Sequence, residues 1–374
     1  MGKFGKKNHV NLNPLSYNIC LLGESKVGKT TLIYNVCQQL TGEDGYIFLE
    51  CGNERGADAI EGIIHENVPD WETFEDICDD IISNKTKDYP ELQTVVIDTY
   101  DQLITLAEAE SVVLWNRENP DKRTKSINAA WGGFGKGEKK AIELMFNKFA
   151  ELRNVGVSTI IIGHVKTKDV NDVVTGETYQ TLTSDQQQNY FNALKKNLHF
   201  LGLAYIDRTI AKEKTGKKNM VTKKEETVGK VKSEARKIKF RDDNFCVDSG
   251  SRFAEIVPEI DLDADDFIKA LTDAIANEQK KSGKSFEETK AEQEAEEKVH
   301  QKEIAKAEEA NKVQKELDEK VNKIKIFIDE NKSDLNKIKP LVALAKEKGY
   351  TNPLVVSTLE DADAMLDLMS TLAQ

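Results

Sequence analysis

Residues Gly23 to Thr31 read GESKVGKTT and fill every fixed position of the pattern G-x-x-x-x-G-K-[ST]. The apolar run Tyr17 to Leu22, YNICLL, precedes it and reads as a buried strand; LIYNVCQQL follows with the apolar spacing of a helix. Strand, glycine loop and helix start therefore stand in the order that a phosphate-binding loop requires. Gly23 and Gly28 let the backbone curl so that its N–H groups converge, and the helix N-terminus adds partial positive charge at the same point. The candidate nucleotide-binding residues are Gly23, Glu24, Ser25, Lys26, Val27, Gly28, Lys29, Thr30 and Thr31. Lys29 is expected to reach the β- and γ-phosphates of ATP, and the Thr30 hydroxyl to ligate Mg²⁺.

Composition narrows the classes. At 374 residues the chain can bury one large core and still carry a smaller module. The net charge is −12, yet Lys212 to Arg241 holds twelve Lys or Arg against four Glu, a basic island that suits a local anionic partner. Cys20, Cys37, Cys51, Cys78 and Cys246 have no metal-ligand spacing and read as reduced thiols. No run approaches a membrane span, and the start MGKFGKKNHV lacks the apolar segment of a secretory leader. A cytoplasmic protein without a membrane partner is the expectation.

Downstream of the loop, Tyr46 to Leu49 (YIFL) reads as a second strand ending at Glu50. A carboxylate at that end of a strand beside a phosphate loop can polarise an attacking water, so Glu50 is the candidate general base, with Glu54 as its competitor. Trp71 to Ser83 carries a helical apolar stripe. Thr94 to Ile97 (TVVI) is a β-branched strand closed by Asp98, the form of a Walker B element, whose carboxylate would hold the Mg²⁺ hydration shell. Tyr100 to Trp115 reads as a helix. WGGFGKGEKK, Trp131 to Lys140, reads as a mobile loop, either a stacking clamp for nucleic-acid bases or a plain surface connection. Ala141 to Arg153 is a helix, Val157 to Ile162 a strand, and His164 stands at its tip. Val165 to Tyr190 is polar without a clear period and reads as a long irregular segment. A further strand, Phe200 to Ile206, closes with Asp207 and Arg208.

In this order, GESKVGKTT, Glu50, VVIDT, IIGH and FLGLAYIDR resemble the core of RecA-type recombinases, most closely the reduced RecA-like ATPases of bacteriophages, the Sak-type single-strand annealing proteins. Asp242 to Leu271 is similar to the close of that phage domain. The resemblance implies an α/β fold with a mostly parallel RecA-like sheet, nucleotide and Mg²⁺ on Lys29, Thr30 and Asp98, and catalysis by Glu50. It implies a switch role for His164, where RecA proteins usually carry Gln, and a DNA-binding loop at Val165 to Tyr190. It also implies a basic residue acting on a neighbouring subunit, Arg241 by nearest match and Lys239 second, in a homo-oligomer that is a ring or a filament. Asp243 falls where RecA has a second basic finger.

The expected division is a tail over 1–15, an ATPase core over 16–275 with a basic hairpin over 212–241, a charged helical linker over 276–320 and a small helical module over 321–374. The linker carries Glu and Lys at helical spacing with almost no large apolar residues. The module is a candidate docking site for a single-strand-binding or replication protein, or a self-association cap. The function these readings favour is Mg²⁺-dependent ATP hydrolysis coupled to single-stranded DNA binding and annealing in recombination. The rivals are a helicase loader or other DNA motor, and an ATP-binding switch or scaffold that does not hydrolyse. A lysine-rich patch does not separate DNA from RNA.

Overall fold

The computed structural model describes residues 9–171, 176–218, 225–241, 249–332 and 334–372, without the side chains of 210–230 and 335. Two compact units result, one from residues up to Glu297 and one from Lys298 onward together with 83–86.

The apolar runs read from the sequence form the middle of the first unit's sheet. Its strands are β1 (Ile19–Gly23), β2 (Tyr46–Cys51), β3 (His65–Val68), β4 (Thr94–Asp98), β5 (Ser158–Asn171), β6 (Thr178–Ser184), β7 (Phe200–Lys218), β8 (Glu225–Lys239), β9 (Gly250–Ser251) and β10 (Glu259–Asp261). The order β7-β1-β5-β4-β2-β3 is parallel throughout, and β8 and β10 extend it antiparallel beyond β7. All five residues of β1 and of β4 are buried, as strands covered on both faces must be.

Helices cover both faces. On one, α1 (Lys29–Thr41) packs Leu32, Ile33 and Val36 with Phe267 and Leu271 of α6 (Ala264–Lys280). On the other, α2 (Trp71–Asn84), α3 (Tyr100–Glu118), α4 (Lys136–Asn154) and α5 (Gln188–Asn197) bury Phe74, Leu103, Met145 and Phe191. This is an α/β fold with a mostly parallel mixed sheet, the architecture of a P-loop nucleotide-binding core.

Three readings need correction. Val165 to Tyr190 is not irregular: β5 runs on past His164 and pairs with β6 as an antiparallel hairpin from Val165↔Ser184 to Asn171↔Thr178, and α5 follows. Both faces of this arm are largely solvated, so no alternation of apolar and polar residues marks it. The strand expected to close at Asp207 and Arg208 continues to Lys218 and pairs with β8. Within the basic hairpin, 219–224 lie outside the described residues, as do Asp243 and Cys246 beyond it. The WGGFGKGEKK segment is only half a loop, because α4 begins at Lys136 and the Trp131 indole donates to Ser111.

The end of the core also differs, since α6 runs to Lys280 rather than stopping at 275. α7 (Phe286–Glu330) is one helix of 45 residues, whose part from Lys298 onward belongs to the second unit. Its last turns supply Leu317 and Ile324 to a small core with Leu341 and Ala345 of α8 (Leu335–Glu347) and with Ala362 and Met365 of α9 (Leu359–Leu372). No helix of the described residues is long and apolar enough to cross a membrane.

Candidate active site

The phosphate loop leaves β1 at Gly23, where a Cβ would lie 2.8 Å from the Ala204 carbonyl oxygen, so only glycine fits between β1 and β7. The loop ends at Gly28 with φ +110°, a conformation that glycine reaches without strain, and α1 starts at Lys29. No side chain among the described residues caps α1, so its first amides remain available to an anion. Lys29 is 6% exposed and folds back over the loop, its Nζ donating to the Gly23 and Glu24 carbonyls at 3.0 and 2.9 Å. Burial pulls its ammonium below the ordinary value, and Asp98, Asp101, Glu54 and Glu24 oppose that shift.

Register brings the other groups to this edge. Asp98 lies beside Glu50 on β2 and Ile162 on β5, and His164 lies beside Gly23. The Thr30 hydroxyl donates to Asp98 Oδ2 at 2.7 Å. Asp98 is 3% exposed, and burial pushes its carboxyl up to about 6, with Thr30 and Lys29 pulling down and Glu54 and Glu50 pushing up. The loop 52–56 closes over this pair: a Cβ on Gly56 would stand 3.1 Å from Thr30 Oγ1 and 3.5 Å from Asp98 Oδ2. A buried carboxylate beside a hydroxyl, closely covered by the Gly56 backbone, is a hard-oxygen donor set that fits Mg²⁺ on a nucleotide. Thr30 and Asp98 are the residues that would hold it.

The two candidate bases separate. Glu50 is 1% exposed; its Oε1 accepts from the Ala57 N–H at 2.6 Å, and its Oε2 is 3.7 Å from His65 Nε2. Glu54 is half-buried on the loop above Thr30 and acts electrostatically on Lys29, Asp98 and His164 together. Both carboxylates act on Asp98, but Glu50 has one oxygen committed to the Ala57 N–H, whereas Glu54 also acts on Lys29 and His164.

His164 meets a residue that the sequence reading missed. Asp101 Oδ2 lies 3.0 Å from His164 Nδ1 and also accepts the His164 backbone N–H at 3.0 Å. This contact raises the imidazole's affinity for a proton, against burial and the Lys29 charge. Its only sequence signal is spacing, three residues after Asp98 and in the first turn of the following helix.

The basic residues have distinct partners within their own chain. Arg241 donates to the Ala254 carbonyl at 3.1 Å, and Lys239 sits 3.9 Å from Glu259 and over the Tyr205 ring. The arginine at the phosphate loop of its own chain is Arg236, whose Nη1 donates to the Val27 carbonyl at 3.3 Å. Strand register decides this: Arg236 pairs with Ile206, two residues past the Ala204 that flanks Gly23, whereas Lys239 pairs with Leu203.

A family model described as an AAA domain matches residues 15–231, more than half of the chain. The chain belongs to this AAA domain family. It is a P-loop nucleotide-binding ATPase by family, and the matched span contains the phosphate loop, Glu50, Glu54, Asp98 and His164. No curated protein matches the chain.

Proposed function

We propose that this AAA-domain protein hydrolyses ATP with Mg²⁺ and uses the cycle to bind single-stranded DNA and promote its annealing, as a phage recombination protein of the Sak type acting as a homo-oligomer. One observation carries the coupling: β5 holds His164 level with Gly23 of the phosphate loop and then runs on, unbroken, into the exposed β5–β6 arm with Lys166 and Lys168. A change at the γ-phosphate felt by His164 is thus passed along one strand to a solvated hairpin. A second exposed feature supports the same partner. Phe134 is 99% exposed, with Lys136, Lys139 and Lys140 close behind it in the chain, and Glu138 of that helix start accepts from Asn189 at the start of α5.

In this reading Lys29 exchanges its loop carbonyls for phosphate oxygens, and Glu54 accepts a proton from the attacking water as the terminal phosphoryl group departs. Bound at Thr30 and Asp98, Mg²⁺ supplies neutralisation of charge developing on the phosphate oxygens. Asp101 holds the His164 ring, and Arg236 steadies the loop at Val27. Arg241 of a neighbouring copy completes the site in an oligomer, and Arg241→Ala should then lower turnover without weakening nucleotide binding.

The test is ATP hydrolysis by the full chain with and without single-stranded DNA, beside Lys29→Ala, at two salt concentrations. Stimulation by single strands, lost in the variant and weakened by salt, supports the proposal. Stimulation by duplex alone would favour a loader or motor. Nucleotide binding without turnover would favour a switch or scaffold.

A further inference from the structure

The Glu50 carboxylate also sits in a second constellation. Glu50 Oε2 is buried and has no hydrogen-bond partner among the described residues. An ionised oxygen in that position is costly unless a positive charge or a donor meets it. His65 Nε2 lies 3.7 Å from it, and Glu50, Asp58 and His65 each offer one ligand atom, the three all within 4.8 Å of one another. Because Phe48 pairs with His65, the imidazole stands diagonally across β2 and β3 from Glu50. Asp58 lies in the turn whose Ala57 N–H is bound to the other Glu50 oxygen, so one carboxylate oxygen fixes the turn and the second faces the cluster.

We propose that Glu50, Asp58 and His65 form a second divalent-cation site, separate from Thr30 and Asp98, that takes zinc. One imidazole nitrogen with two carboxylate oxygens suits zinc, whereas Mg²⁺ and Ca²⁺ favour all-oxygen sets. Metal–ligand bonds of about 2.0–2.2 Å require the three atoms to draw together by roughly 1 Å. Asp58 can make that movement, since its side chain is 56% exposed and its other contact is an exposed Arg55 at 3.7 Å. His65 is 28% exposed, so solvent reaches the remaining coordination position. The cation would pin the turn that follows Glu54 to the edge strand, giving the loop over the nucleotide site a metal-dependent rigidity.

The experiment uses the full-length chain, stripped with EDTA and free of nucleotide, titrated with Zn²⁺ against a chromophoric chelator, with bound metal counted by mass spectrometry. The expected result is one zinc per chain, with affinity lowered by about tenfold or more in both His65→Gln and Asp58→Asn. Thr30→Val should bind zinc as the unaltered chain does. Asp58 is exposed, so its variant leaves the core intact, and circular dichroism checks this. Three results overturn the proposal. One is no stoichiometric zinc, leaving Glu50 and His65 merely ion-paired. Another is zinc binding indifferent to both variants, as it would be if the buried thiols held the metal. The third is a loss in Thr30→Val that matches theirs.

Discussion

Thr30 donates its hydroxyl to the Asp98 carboxylate at 2.7 Å across 68 residues of chain. Asp98→Asn keeps an acceptor for that hydroxyl and removes a buried charge whose desolvation raises its proton affinity. Without nucleotide or Mg²⁺, the variant should therefore be more stable than the parent, by about 1–2 kcal/mol in urea unfolding. Its Mg²⁺-dependent ATP turnover should fall by about a hundredfold or more, because the metal loses its anionic ligand. A variant less stable than the parent would show that Asp98 is needed by the fold rather than by the nucleotide.

Glu54 and Glu50 give opposite expectations. Glu54→Gln should lower ATP turnover by about 10²–10⁴-fold with nucleotide affinity retained, since a proton acceptor is lost and no phosphate contact is removed. Glu50→Gln can still accept from Ala57 N–H, and turnover should stay within about tenfold of the parent. Single-turnover assays with separately measured nucleotide affinity distinguish the two. The reverse ranking would return the role of base to Glu50.

The Asp101 contact makes His164 easier to protonate, so the imidazole holds its charge to higher pH than a free histidine. In Asp101→Asn that support is gone while burial and Lys29 still oppose the charge. The His164 titration followed by NMR should then move to lower pH. Basal hydrolysis should change little, and stimulation by single strands should drop, because the ring at the head of the β5–β6 arm is no longer held. An unmoved titration would mean that Asp101 does not control the imidazole.

How much of this was legible depended on burial. GESKVGKTT and VVID announced themselves because two-sided burial makes β1 and β4 continuous apolar runs, and a glycine-lysine loop has few other uses. The β5–β6 arm was not legible, since a hairpin with water on both faces leaves no period of two. Strand β3, HENV, was missed for a related reason: three of its four residues are not buried. The contact of Arg236 with Val27 needed strand register, which local sequence does not encode. His164 was expected at a strand tip, whereas β5 runs on past it to Asn171, and its partner Asp101 comes from the first turn of α3, after a different strand.

Phe134 supplies a test of the proposed nucleic-acid contact that spares the fold. With its ring wholly in solvent, Phe134→Ala should leave the melting temperature unchanged. If the ring stacks on a base, affinity for a fluorescent single-stranded oligonucleotide should fall by about tenfold or more. Unchanged affinity would leave the loop as a surface connection and move the contact to the arms.

His199 links acid sensitivity to the seam between β1 and β7. Its Nδ1 accepts the Asn18 N–H at 3.2 Å and its ring meets Tyr17 edge-on at 5.1 Å, so the folded chain needs the neutral imidazole. Burial, reinforced by Arg153 and Arg252, lowers its pKa to about 4. An unfolded histidine takes up its proton near 6.5, so between those values the unfolded chain binds more protons than the folded one. The stability His199 contributes is thus fully present above about 6.5 and is lost as the pH falls toward 4. Partial exposure of the ring reduces the effect to about 1 kcal/mol between pH 7.5 and 5. His199→Gln can accept the same N–H through its amide oxygen and does not titrate. Urea unfolding of both proteins at the two pH values should show the parent losing more stability on acidification, and parallel losses would remove His199 as the cause.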